Sequence, residues 1–330
     1  MQPCQEDNRS FFEKLQNAKG LDLRDNRGKR HDLAVVLVGV TLALLSNRDG
    51  CLSSIHRHLK NHYERLMTAL TLEPKTAISR PQLPRVLEKM AVEVFDGLLF
   101  ENYGIRLNPE ERKWFALDGK ELKGSIEKGA KRGEAVVQAV AHETLQVHSQ
   151  TYYSGNKESE VPAVRHLLQN NGLCLEKISL DALHCKPKTL APIAEKGGIY
   201  LVGLKENQKE MLAQVTAMTG SLSCLYETKS LEKGHGRIES RNYQAFNIES
   251  IYQAERWTDC GIKTALKVNR ERFVSKSGKK SAETSYYLSN QTTDLAELCA
   301  AVRHHWSVET NNHIRDVTLR EDCLRSKKRR

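Results

Sequence analysis

The spacing of apolar positions changes character along the chain. From Asn8 to about Asn108 it is helical. Leu33 to Leu45 is almost unbroken apolar sequence and predicts one buried helix. Leu52 to Leu72 predicts a second, with His56, Arg57, His58, Lys60, His62 and Arg65 on its polar side. After the breakers Pro81 and Pro84, Val86 to Phe100 predicts a third. At Asn108-Pro109-Glu110 the period shortens to that of strands: Lys113 to Asp118, Glu134 to Glu143 and Leu145 to Ser154. A helix over Pro162 to Asn170, closed by Asn171-Gly172, leads to a strand at Lys177 to Asp181. A helix over Pro187 to Lys196, stopped by Gly197-Gly198, leads to a strand at Ile199 to Leu204. Strand pairs joined by a crossover helix predict a mixed α/β sheet, with the Asp181 strand parallel to the first and beside it. The expected organisation is a helical domain over 1–108 and an α/β domain over 109–330. Alternating segments at Arg237 to Ile248, Ile262 to Val274 and Glu283 to Ser289 mark a β-rich insertion over about 211–290.

Thr293 to Glu321 reads as one long amphipathic helix. Asp294 with Glu297 looks like a capping box, and Leu295, Leu298, Cys299, Val302 and Trp306 form an apolar stripe. The next position on that stripe is Glu309. A carboxylate facing a core needs compensation, and two aspartates offer themselves as companions. Asp118 ends the run Trp114-Phe115-Ala116-Leu117, and Asp181 follows Ile178-Ser179-Leu180, so each reads as the last residue of a buried strand. Three hard oxygen donors from separate elements suit two Mg²⁺ ions, the arrangement that phosphodiester cleavage uses. A strand-end aspartate alone is more often a turn or cap residue. The order strand-Asp, strand-Asp, β-rich insert, helix-Glu is far more specific.

Lysine plus arginine outnumber aspartate plus glutamate by 51 to 41, a net charge of +10 that suits a polyanion, nucleic acid first. Eight scattered cysteines without a CxxC pair read as reduced thiols in a cytosol, and the longest apolar run is too short to span a bilayer.

Several blocks resemble a known family. Asp118-Gly119-Lys120 with Leu122-Lys123-Gly124-Ser125 resembles the first-aspartate block of bacterial insertion-sequence transposases with a DDE triad. Leu180-Asp181-Ala182-Leu183-His184-Cys185 resembles their second-aspartate block. Gly203 to Gln208, Gly234 to Glu239 and His305 to Glu309 are similar to further blocks of the H-repeat-associated subgroup. Asp22-Leu23-Arg24 with Gly28 to His31 resembles the start of its helical N-terminal region.

The resemblance implies an RNase H-like core with the β-rich insertion. It also implies a homodimer on double-stranded DNA that binds terminal inverted repeats and a target, in the bacterial cytoplasm near the nucleoid. Asp118, Asp181 and Glu309 would be catalytic ligands of two Mg²⁺ or Mn²⁺ ions. Lys120, Lys123, Lys205, His235 and Arg237 would be DNA-phosphate contacts. The wider superfamily carries Tyr, Arg, Glu and Lys around the last acid. Here those places hold Val302, His305, Glu309 and Asp316, and His305 is expected as a weaker phosphate donor. Relatives continue further past this helix, so the copy reads as C-terminally shortened. A non-catalytic DNA-binding remnant and a metal-dependent nuclease without strand transfer stay open as alternatives.

Overall fold

The computed structural model describes residues 9–46, 51–73, 75–105, 107–108, 110–155, 158–234, 236–249 and 255–323. The chain divides into two compact units. One comprises Met1–Arg106, Glu121–Glu134 and Asn312–Arg330; the other comprises Leu107–Lys120 and Ala135–Asn311.

The first unit is helical: α1 (Phe11–Asn17), α2 (Leu33–Ser46), α3 (Leu52–Ala69), α4 (Gln82–Leu87) and α5 (Val92–Tyr103). Its core gathers Leu33, Ala34, Val36, Leu37 and Ala43 of α2 against Ile55 and Leu59 of α3. The expected helix from Val86 to Phe100 is two helices. Residues 88–91 leave the helix, where Leu21 accepts from the Ala91 amide and Lys89 accepts from the Leu23 amide.

The second unit is built on a nine-stranded mixed sheet in the order β3-β2-β1-β4-β5-β9-β8-β7-β6. Its strands are β1 (Trp114–Glu121), β2 (Glu134–Ala141), β3 (Val147–Ser154), β4 (Lys177–Leu180), β5 (Ile199–Leu204), β6 (Tyr226–Gly234), β7 (Arg237–Asn247), β8 (Thr264–Val274) and β9 (Lys279–Ser289). β1, β4 and β5 run parallel, with Leu117 opposite Leu180 and Leu180 opposite Val202. Trp114 to Leu117, Ile178 to Leu180 and Tyr200 to Leu204 are buried on both faces, which is why, Ser179 apart, they read as apolar runs. In β7, burial alternates, the signature of a sheet with one wet face. The insertion is thus an antiparallel extension of the same sheet, joined where β9 pairs antiparallel with β5. Helices α6 (Glu160–Asn170), α7 (Pro187–Glu195) and α8 (Lys209–Ser221) supply the connections. Gly172, after α6, sits at a φ of +71°, the left-handed conformation that a helix terminator needs.

The expected single helix from Thr293 to Glu321 is broken. α9 (Leu295–His304) and α10 (Ser307–His313) are separated by a turn at His305 and Trp306, and a wider π-type turn follows at Ile314–Thr318. Leu298, Cys299 and Val302 are buried as the stripe requires, but Trp306 is 48% exposed. The capping box is absent as well. Asp294 takes a left-handed φ of +51° and makes no side-chain cap bond. Glu297 instead accepts from Trp114 Nε1 at 3.1 Å and from Lys177 Nζ at 2.7 and 2.8 Å, which ties α9 to β1 and β4. No helix among the described residues is long and apolar enough to cross a membrane. Cys174, Cys185, Cys224, Cys260 and Cys299 are free thiols.

Glu297→Ala should therefore cost about 1–2 kcal/mol in urea unfolding, the scale of a half-exposed charged hydrogen bond. Asp294→Ala should stay within about 0.5 kcal/mol, because no cap bond is removed.

Candidate active site

One face of the parallel strands carries Trp114, Ala116 and Asp118 on β1 and Lys177, Ser179 and Asp181 at and just beyond β4, in matching register. α9 and α10 lie along it, and each contact fixes the next. Glu297 holds Trp114 and Lys177. Further along, His305 Nδ1 is 2.9 Å from Ser179 Oγ, which is also 2.8 Å from His142 Nε2. The His142 ring stacks on Trp114 with centroids 5.7 Å apart. Beyond the break, Val308 is buried against Ala116 and Val140. Its neighbour Glu309 is among the charges that act on Asp118.

The three acids do not stand as the pattern predicts in every respect. β1 continues past Asp118 to Glu121, so Asp118 is inside the strand rather than its last residue. Asp181 does follow β4 directly; it caps the turn Ala182–His184, accepting from the Leu183 amide at 2.8 Å. Glu309 is exposed, because the break before α10 turns Val308 into the core in its place.

The electrostatics nevertheless link them. Burial pushes the Asp118 carboxyl up to about 6; the charge of Glu160 adds to it, and those of Asp181 and Glu309 add further, against one stabilising hydrogen bond from the Gly119 amide. Glu309 is itself raised by burial. Asp118 therefore feels three other carboxylates. Among the described residues no three Asp, Glu, His or Cys side chains stand grouped as a ready-made metal-ligand set.

Glu160 escaped the sequence reading. It opens α6, two residues before the helix expected there, and its carboxylate lies so close to Gly119 that a Cβ at that position would collide with it. His184, buried to 1%, holds it through Nε2 at 2.8 Å and stands 3.9 Å from Asp181 Oδ1. The signal was the histidine three residues after Asp181, which reads in the sequence as a lone His-Cys pair.

The expected cationic contacts fall in different places. Lys120 is buried, two residues past Asp118. Lys123 pairs with Asp322 at 2.8 Å. Lys205 is exposed at the end of β5, and Arg237 lies 3.3 Å from Glu239. His235 lies outside the described residues. His305 is lowered to about 4 by burial, the charge of Asp181 opposing, so its ring is neutral at pH 7. A charged phosphate donor is not what its surroundings favour there.

Because the folded Asp118 value lies above the ordinary 3.8, the stability linked to it is present below about pH 4 and lost as pH rises through about 6. In metal-free protein Asp118→Asn should therefore be stabilising relative to wild type, by more at pH 7 (up to about 2–3 kcal/mol) than at pH 5, read from paired melts in EDTA.

Comparison with known proteins shows the family. The family model described as "Transposase DDE domain" matches residues 109–330. The chain is 28% identical over 250 residues to "Putative transposase YncI" of Escherichia coli O157:H7, covering 71% of this chain and 63% of that protein. It is 26% identical to "H repeat-associated putative transposase YhhI" of Escherichia coli strain K12, covering 64% and 58%. It is 25% identical to an uncharacterized protein in the dhlA 3′ region of Xanthobacter autotrophicus, covering 86% and 94%. The chain thus spans less than two thirds of the length of these two transposase-named relatives. A solved S-adenosylmethionine-dependent methyltransferase from Clostridium acetobutylicum matches at 11% identity over 39% of this chain and 46% of that one, with a TM-score of 0.16, too low to bear on the fold. By the family match over two thirds of its length, this chain belongs to the DDE-domain transposases of insertion sequences.

Proposed function

We propose that this protein cuts double-stranded DNA at the terminal inverted repeats of its element and joins the freed 3′ ends to target DNA, with Asp118, Asp181 and Glu309 as the catalytic carboxylates. The observation that carries this reading is the convergence of charge on Asp118, raised to about 6 with Asp181 and Glu309 among its causes. The strand order β3-β2-β1-β4-β5, with β1, β4 and β5 parallel, supports an RNase H-like core.

The residues fit Mg²⁺ or Mn²⁺ on two counts. Their donors are hard carboxylate oxygens, and a divalent cation would offset the burial and, after it, the charges of Glu160, Asp181 and Glu309 that keep Asp118 raised. Asp118, Asp181 and Glu309 would hold two such ions. When bound, the ions supply activation of the attacking oxygen and neutralisation of the leaving one. The chain's own work is positional. The parallel register sets Asp118, inside β1, beside Asp181, just past β4, and Val308 anchors α10, which carries Glu309. His184 holds Glu160 beside Gly119. Lys120, Lys205 and Arg237 would contact phosphates, in a homodimer whose helical residues 1–108 read the element ends.

Two measurements test this. On a supercoiled plasmid carrying the element's inverted repeats, with Mg²⁺ or Mn²⁺, wild type should give joined products, and Asp181→Asn should give neither nicks nor joints while keeping its gel shift. Nicks without joints from wild type would indicate a nuclease, and a shift without cleavage a DNA-binding remnant. Independently of activity, millimolar Mn²⁺ should raise the melting temperature of wild type and leave that of Asp118→Asn nearly unmoved.

A further inference from the structure

The β6–β9 extension carries a second concentration of charge, opposite in sign to the carboxylate cluster. Arg237, Glu239 and Arg241 alternate along β7 and share a face, with Arg272 opposite Glu239 and Arg270 opposite Arg241 on β8. Glu239 is only 4% exposed. Its Oε1 accepts from Arg270 Nη2 at 2.8 Å and Arg272 Nε at 2.9 Å and lies 3.3 Å from Arg237 Nε; its Oε2 accepts from Arg241 Nη2. One carboxylate offsets one guanidinium, so a surplus remains. Glu232 takes up part of it, accepting from Arg303 at 2.9 and 3.1 Å, and Glu283 lies 3.8 Å from Arg270. Five arginines still face three glutamates.

A groove of about 570 Å³ opens onto this face, lined by Arg241, Arg270, Arg303 and Lys205, by Glu206 and Glu283, and by the exposed Trp306. Arg270 Nε is buried there with no hydrogen-bond acceptor among the described residues. A network that served folding alone needs no more arginines than acids. Guanidinium forks gripped from one side by a buried carboxylate hold their remaining N–H groups in fixed directions, an arrangement matched to phosphate oxygens. We propose that Glu239 gathers Arg237, Arg241, Arg270 and Arg272 into a binding site for the phosphodiester backbone of duplex DNA on the β extension. This rests on the DNA reading above and adds where the backbone is gripped and which residue arranges the grip. Glu239 acts as a positioning residue, through the arginines.

The sign of one substitution separates this role from that of a simple counter-charge. Binding of the full chain to a fluorescent duplex of mixed sequence is followed over a potassium chloride series. Glu239→Gln raises the net charge by one, so a mere counter-charge would bind more tightly on its loss. The expected result is the reverse: affinity several-fold weaker. Arg270→Gln and Arg272→Gln should each weaken binding and reduce the salt slope by about 0.9 for each phosphate no longer neutralised. Equal or tighter binding by folded Glu239→Gln overturns the proposal. Circular dichroism and melting verify folding, and if Glu239→Gln fails to fold, the half-exposed Arg237→Gln and Arg272→Gln decide, unchanged slopes in both overturning it. Wild type that shows no salt-dependent DNA binding sinks the DNA reading together with this one. Wild type that binds while the variants match it sinks this inference alone.

Discussion

Repulsion among carboxylates at one end of the parallel strands is the constraint around which the second unit is arranged. Asp118 is pushed to about 6 by burial and by the charges of Glu160, Asp181 and Glu309. Left to themselves, such groups would swing apart into water. They are held because the elements that carry them are fixed for other reasons. β1 and β4 are buried on both faces, and α9 is tied by Glu297 to Trp114 and Lys177. Val308 is locked into the core one residue before Glu309. Packing energy spread over many apolar residues thus sustains an unfavourable arrangement at a few polar ones, as is common at functional sites.

Two of the polar side chains buried beside this cluster do not relieve it. His142 and His305, joined through Ser179, are lowered to about 3 and about 4, chiefly by burial. At neutral pH neither ring carries charge, so neither offsets the acids. What they supply is geometry: a hydrogen-bonded chain from the Trp114 side of the sheet to the break between α9 and α10, the point that determines where Glu309 goes.

The pattern of the sequence carried the parallel core well, for a physical reason. Strands buried on both sides must be largely apolar, and Trp114 to Leu117, Ile178 to Leu180 with its one serine, and Tyr200 to Leu204 read that way. Glycine at left-handed φ marked the end of α6 in the same local way. Failures came where tertiary contacts outweigh local preference. Asp294 and Glu297 have the spacing of a capping box, yet two distant partners, Trp114 and Lys177, hold the glutamate. The helical period from Leu298 to Glu309 is clear, but a turn at His305 and Trp306 rotates the stripe and exposes the tryptophan. Glu160 was invisible because nothing along the chain connects the first turn of α6 to Asp118; only the folded proximity of Gly119 and His184 does so.

The same sheet places buried carboxylates in two opposite settings. Asp118 is driven up to about 6 by burial and other acids. Glu239, more deeply enclosed, would also be raised by burial, yet hydrogen bonds from Arg270 and Arg272 and the charges of Arg270 and Arg241 hold it at about 2. The linkage signs follow. Stability from Glu239 is present above its ordinary 4.5 and fades only as pH falls towards 2, whereas Asp118 weakens the fold as pH rises through 6. Burial is common to both and cannot be what distinguishes them. The difference lies in which charges the neighbouring strands bring alongside: arginines in register across β7 and β8, acids at the ends of β1 and β4. An acid surrounded by cations is part of the scaffold. An acid surrounded by acids is left with its charged form disfavoured, even in a protein that otherwise carries an excess of positive charge.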